Sequence, residues 1–289
     1  MIPAAFEYLR PKTIPEAIGF LRQYGGDAKI LSGGQSLIPM MKFRLARPAY
    51  LIDINRIAGL SYIREEGGYL KIGGLTREAD LEGSPLIHAK YPILADTARV
   101  IADPQVRNMA TLAGNMAHGD PANDHPATMI ALGAEVVASG PKGERVLPVD
   151  SFFVTLFTTQ LEHDEIVTEI RIPAPPPRSG GAYIKLERKV GDFATAAVAA
   201  QLTLDTAGAC QKVRIGLTNV GATPIEAAKA AEFLTGKKLD EANTTRAAQL
   251  AADEAQPSSD LRGPEEYKRG LVKELTRRAL RRACERAGA

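Results

Sequence analysis

Cysteine is scarce: Cys210 and Cys284 are the only two in 289 residues. That count excludes a disulfide framework and any four-cysteine zinc or iron–sulfur set carried by this chain alone. Histidine is nearly as rare, with four scattered residues and no arrangement resembling a Ser-His-Asp triad. Tryptophan is absent, and neither sign of charge dominates: 36 basic against 34 acidic residues leave a net +2. Such a balance offers no electrostatic case for nucleic acid or an anionic membrane surface. No apolar run approaches the roughly 20 residues that cross a bilayer, so no membrane span is expected. Met1 to Phe6 lacks the charged and apolar regions of a signal peptide. The expectation is a cytoplasmic globular protein, 45% hydrophobic and 24% charged, long enough for two domains.

What the chain does have is punctuation. Thr13 is placed to cap a helix over 14–24 that Gly25-Gly26 stops, and 28–31 reads as a buried strand. A short helix carrying Leu37, Met40, Met41 and Leu45 follows, then a strand at 50–54. From 60 to 74, Gly-Gly turns separate strands. Residues 86–102 read as mostly helical, and a further helix follows Asp124 and ends near Gly133. Strands are expected at 134–138, 144–148 and 165–172. The run Pro173-Ala174-Pro175-Pro176-Pro177 marks the clearest boundary, because consecutive prolines have no N–H to give a ladder. Beyond it come strands at 183–188, 197–204 and 212–218, then helices at 222–235, 239–255 and 264–286. The last helix carries Lys268, Arg269, Lys273, Arg277, Arg278, Arg281, Arg282 and Arg286. Tyr267, Leu271, Leu275 and Ala279 give it an apolar stripe, so the basic residues read as a solvated face.

Two glycine loops carry the chemical signal: Ser32-Gly33-Gly34-Gln35-Ser36 and Thr111-Leu112-Ala113-Gly114-Asn115. A residue without Cβ lets backbone approach a ligand closely, and successive N–H groups can line an anion site. Taken singly, each loop is an ordinary turn. His118, Asp120, Asp124 and His125 lack a known metal-ligand spacing. Helix capping by Asp124 and a turn at Asp120-Pro121 account for the carboxylates instead. Arg188 and Asp192 read as a pair at a strand end.

In longer context the loops are more specific. The stretch from Leu31 to Leu45 resembles the first FAD loop of the medium, flavin-binding subunit of molybdenum hydroxylases, the xanthine dehydrogenase family. The stretch from Ile101 to Asn115 is similar to the second, and His118 to Asp124 continues it with an Asp-Pro-x-x-Asp segment. Lys185 to Phe193 resembles the family's Lys-x-x-Arg stretch, and Gly216 to Val220 and Arg262 to Pro264 also match. The resemblance spans essentially the whole chain and is nearest to aerobic carbon monoxide dehydrogenases.

That resemblance implies an α+β fold. A two-part FAD-binding domain of the vanillyl-alcohol-oxidase type would occupy 1–175, with subdomains about 1–56 and 57–175. A C-terminal domain of small antiparallel sheet plus helices would occupy 178–289. No Gly-x-Gly-x-x-Gly marks a doubly wound fold. By resemblance, Ser32, Gly33, Gly34, Gln35 and Ser36, with Thr111, Leu112, Ala113, Gly114 and Asn115, would hold the FAD diphosphate. Asp124 would accept from a sugar or ribityl hydroxyl, Ile101 and Val167 would touch the ring, and Lys185 would place a positive charge beside it. Ala113 stands where most relatives have glycine, and Phe193 where carbon monoxide enzymes have tyrosine. No catalytic acid, base or metal ligand is assigned to this chain.

The implied activity is electron transfer. A large subunit with the molybdenum cofactor would oxidise substrate, and a small subunit with [2Fe-2S] clusters would pass electrons to FAD here. An external acceptor (quinone, NAD or oxygen) would take them. Carbon monoxide leads as substrate, with N-heterocycles, aldehydes and purines open. Competing classes are a self-sufficient FAD oxidase and an assembly subunit that has lost its flavin.

Overall fold

The computed structural model describes residues 1–288. It opens on a parallel three-stranded sheet in the order Glu7–Leu9, Tyr50–Asp53, Ala28–Leu31. Thr13 caps the helix Ile14–Tyr24, its side chain accepting from Glu16 N at 3.3 Å. The helix buries Ala17, Ile18 and Leu21 against Ala28 and Ile52, each large side chain contributing roughly 2 kcal/mol of transfer free energy. Strand Glu7–Leu9 has no expected counterpart. It is exposed and lacks alternation, and it exists because Glu7 N finds Ala49 O at 2.7 Å.

A five-stranded antiparallel sheet follows, in the order Ile63–Glu66, Tyr69–Gly73, Ile166–Pro173, Glu135–Gly140, Gly143–Pro148. The late strand Ile166–Pro173 therefore inserts between two earlier hairpins. Ile170 and Ile172 alternate into a core shared with Leu112, Ala113, Met116 and Met129 from the covering helices. The expected 86–102 helix is two helices, Pro85–Lys90 and Pro92–Arg99, because Tyr91 before the proline leaves the helical region (φ −130°, ψ 51°). The 37–45 helix stops at Lys42, where Arg44 turns to φ 59°.

The C-terminal sheet runs Ser179–Leu186, Ala196–Leu204, Cys210–Thr218, Ile225–Glu226. Its second strand is buried on both faces. Ala196, Val198, Ala200 and Leu202 face the chain's last helices, while Ala197 and Ala199 face Ile93, Ala127 and Ala131 of the N-terminal half. Two-residue periodicity alone makes this strand both a core element and an interface. Gly216 lets the halves meet: a Cβ there would lie 2.1 Å from Ala127 O. The expected 222–235 helix shrinks to Ala228–Leu234, since Ile225–Glu226 joins the sheet.

In the last helix, Glu265–Arg286, Leu275 and Ala279 of the expected apolar stripe are buried, but its first turn departs from it and the buried face widens to take in Lys268, Val272, Thr276 and Leu280. Lys268 is 1% exposed and Tyr267 48%. The lysine stem packs inward while Nζ donates to Ser258 O at 3.0 Å and Asp260 Oδ2 at 2.8 Å. Among the described residues no helix is long and apolar enough to cross a membrane.

Candidate functional site

The two glycine loops touch. Ser32 Oγ and Thr111 Oγ1 share a hydrogen bond of 3.0 Å across 79 residues. Gly33 is buried against the second loop, where a Cβ would lie 2.3 Å from Met109 O and 2.8 Å from Ala110 Cα. Its missing side chain is required by the other loop's backbone. Gly34 follows at φ +75°, a conformation glycine adopts without cost. The N–H groups of Gly33, Gly34, Gln35 and Ser36 make no hydrogen bond among the described residues. Gln35 turns its amide back to Gly33 O at 3.1 Å.

Thr111 caps the helix Leu112–His118, accepting from Gly114 N at 3.1 Å. Leu112 and Ala113 send their side chains into the core, so only their backbone can meet a ligand. Ala113 sits at an ordinary helical position, so its Cβ carries no backbone strain. Asn115 Oδ1 is buried without a hydrogen-bond partner. An amide can be turned over, so this edge offers a ligand either an acceptor or a donor. Unpaired loop N–H groups beside a helix start and an unpaired amide suit an anionic, hydroxyl-bearing ligand such as FAD.

A third segment locks the loops together, and the sequence did not advertise it. Arg77 bridges to Thr111 in antiparallel fashion. Its guanidinium donates to Met109 O at 2.6 Å and Asn55 Oδ1 at 2.7 Å. Asn55 Nδ2 donates to Ser32 O at 2.8 Å and Asp53 Oδ1 at 2.7 Å. Burial pushes the Asp53 carboxyl up, but hydrogen bonds from Tyr8 and Asn55 outweigh it and hold it below the usual range. The signal available was only a polar residue just after each of two strand regions.

A second grouping forms around Asp124, 6% exposed at the first turn of the helix Asp124–Leu132. Asn123, not Asp124, occupies the cap position, and its amide donates to Asn115 O at 2.9 Å. Tyr183 OH donates to Asp124 Oδ1 at 2.6 Å, and Lys185 Nζ to Asp124 Oδ2 at 3.0 Å. Lys185 also donates to Val100 O at 3.0 Å and has Glu187 Oε2 at 3.3 Å. The carboxylate expected to accept from a ligand hydroxyl thus already has a protein partner on each oxygen. Burial pushes its pKa up against the pull of Lys185 and Tyr183. Burial, with Asp124 beside it, also drives the Tyr183 phenol well above its usual range.

Ile101 adjoins this group: Lys185 holds Val100 O, and Ala102 sits at φ 44°. The loop bearing Phe193 packs there through Gly191, where a Cβ would lie 2.9 Å from Ala102 O. Phe193 is 47% exposed, with the Arg262 guanidinium 5.9 Å from its ring centre. Asp192 accepts from Arg188 at 3.0 Å and Arg262 at 3.1 Å, the strand-end pairing the sequence suggested. Asn219, at φ 58°, donates its N–H to Pro121 O at 2.9 Å and its side-chain amide to Ala194 O at 2.6 Å, tying this loop's far end to the N-terminal half. Val167 stands apart from the Asp124 group, in the core with Leu112 and Ala113 at a β-bulge.

One buried pair joins the two groupings. Glu78 and His125 are each 0% exposed, with Oε2 and Nε2 2.7 Å apart. Glu78 Oε1 and His125 Nδ1 have no partner, a cost of roughly 1–3 kcal/mol for each such atom. His125 therefore points to a carboxylate within the fold and Asp124 to a lysine. Among the described residues no group of three or more His, Cys, Asp or Glu could hold a metal ion.

Residues 4–175 match the family described as the FAD binding domain in molybdopterin dehydrogenase. Residues 181–283 match the CO dehydrogenase flavoprotein C-terminal domain. The chain is 47% identical to the carbon monoxide dehydrogenase medium chain of Hydrogenophaga pseudoflava, covering 99% of each. It is 46% identical to that of Afipia carboxidovorans, again covering 99% of each. A solved structure of the Hydrogenophaga pseudoflava enzyme lacking the Mo-pyranopterin moiety of its cofactor superposes with a TM-score of 0.96 at 48% identity, covering 99% of both chains. With an FAD-binding domain followed by this flavoprotein domain, the chain belongs to the medium, FAD-binding subunit family of carbon monoxide dehydrogenases and related molybdenum hydroxylases, and is an oxidoreductase component.

Proposed function

We propose that this chain is the FAD-bearing electron-transfer subunit of a heterotrimeric carbon monoxide dehydrogenase. The observation that carries the site is the contact between the two glycine loops, which leaves the N–H groups from Gly33 to Ser36 unpaired beside the helix start at Thr111. These groups, with the Leu112 and Ala113 backbone, Gly114 and Asn115, would hold the diphosphate. Oriented N–H dipoles at a helix start favour negative charge without needing a cationic side chain.

Ile101 and Val167 would supply apolar contact to the ring, and Phe193 an aromatic one that needs no hydrogen-bond partner. Asp124 would accept a ligand hydroxyl through lone pairs that Tyr183 and Lys185 leave open. Lys185, hydrogen-bonded to Val100 O and Asp124 with Glu187 Oε2 at 3.3 Å, is held in place as part of the site's field. Bound FAD supplies the redox chemistry, taking up electrons one at a time and releasing them to an acceptor. The [2Fe-2S] clusters of a small subunit would deliver those electrons, and a large molybdenum subunit would oxidise carbon monoxide. A quinone, NAD or oxygen would receive them.

The test is the visible spectrum and flavin content of the chain purified with its co-expressed partner subunits. Stoichiometric FAD together with iron–sulfur absorbance, both bleached by carbon monoxide, is the expected result. Bleaching only by an N-heterocycle, aldehyde or purine would reassign the substrate. A colourless chain in an intact complex would overturn the electron-transfer role.

A further inference from the structure

We propose that Glu78 and His125 are positioning residues for the flavin site, setting the separation between the second glycine loop and Asp124. The inference rests on the FAD site assigned above. Glu78 N donates to Ala110 O at 2.9 Å, and the preceding Arg77 bridges to Thr111. The Glu78 carboxylate then crosses to His125, the residue after Asp124. One side chain thus measures the distance from the loop that starts the helix Leu112–His118 to the carboxylate that holds Lys185 and Tyr183.

The energetics argue for geometry over stability. A fully buried ion or hydrogen-bonded pair gains little over apolar residues of similar shape, and this pair leaves one atom unpaired on each partner. An apolar contact would fill the space more cheaply, but it would not fix a separation. A 2.7 Å hydrogen bond between two rigidly held groups does. The pair touches neither loop N–H groups nor the Asp124–Lys185 contact, so it acts through the backbone on either side.

The experiment uses the complex with its partner subunits and FAD as the probe. FAD affinity, flavin midpoint potential and melting temperature are measured for each variant. In Glu78→Met/His125→Phe, removal of both polar groups should leave the melting temperature at or above wild type. The FAD dissociation constant should rise about tenfold, the effect outer-shell partners exert on a bound centre, with a displaced potential. Glu78→Asp keeps the carboxyl group but shortens the reach by one methylene, and it should also weaken FAD binding with the fold intact. Glu78→Gln still spans the gap and should restore near-wild-type affinity.

Wild-type affinity and potential in Glu78→Asp, or in a folded double variant, would overturn the positioning role while leaving the FAD site standing. A complex that retains its FAD after both glycine loops are altered would overturn the site assignment and this inference together.

Discussion

The α-carbon of Gly33 faces the carbonyl of Met109 so closely that a Cβ would sit 2.3 Å from its oxygen. The first glycine loop is therefore built against the second. Gly114, by contrast, has only Thr111 Oγ1 near its absent Cβ, at 2.8 Å. Gly33→Val is expected to push the loops apart, lowering both FAD content and melting temperature. Gly114→Ala should disturb the Thr111 cap, costing about 1 kcal/mol of stability, and lower FAD content less than Gly33→Val. Thermal unfolding and released-flavin assays on the two variants check the ordering; equal losses would contradict it.

Arg77 holds the carbonyl of Met109 and the amide of Asn55 with one planar fork. Lysine offers a single point of contact and cannot span both acceptors. Arg77→Lys is expected to lower FAD affinity, with a stability loss of about 1.5–3 kcal/mol for the charged hydrogen bonds removed. Fluorescence titration of FAD and denaturant melts would show it.

The chain's halves are also clasped far from the loops. Asp96, 9% exposed, accepts from Arg286 at 2.6 and 3.0 Å and from Arg282 at 3.2 Å. Arg286 further reaches Gly181 O at 2.6 Å, on the strand that carries Tyr183 and Lys185. Removing Arg286 leaves the nearly buried Asp96 carboxylate with the longer contact to Arg282, so Arg286→Ala should cost about 3 kcal/mol, the lower end for a broken buried pair. Asp96→Asn, which keeps an acceptor oxygen, should cost less. Calorimetry distinguishes the two.

Acid should loosen the Phe193 loop. Burial pushes Asp192 up, but hydrogen bonds from Arg262, Arg188 and the Phe193 N–H outweigh it and hold the carboxyl below its ordinary value of 3.8. With the folded value below the unfolded one, this contribution to stability is complete above 3.8 and fades as pH falls through the lower, folded value. Asp192→Asn should be less stable than wild type at neutral pH, and the two should converge as pH falls below 3.8. A constant gap across that range would refute the pairing.

Local signals in the sequence determined the local structure. The Thr13 cap, the glycine stops and the apolar run of 165–172 each act over a few residues, and the elements they mark formed close to where they were expected. The chain's phrases around Gly33, Gly114, Asp124 and Lys185 likewise sufficed to identify the family. What the sequence could not give is which polar groups meet. Ser32 with Thr111, Arg77 with Met109, Glu78 with His125 and Arg286 with Asp96 are separated by 79, 32, 47 and 190 residues. No periodicity encodes such pairings. They follow from desolvation: once the sheets and helices bury these groups, each must find whatever partner the topology brings within about 3 Å, or stay unpaired at a cost. Propensity placed the elements, and burial in three dimensions decided the site.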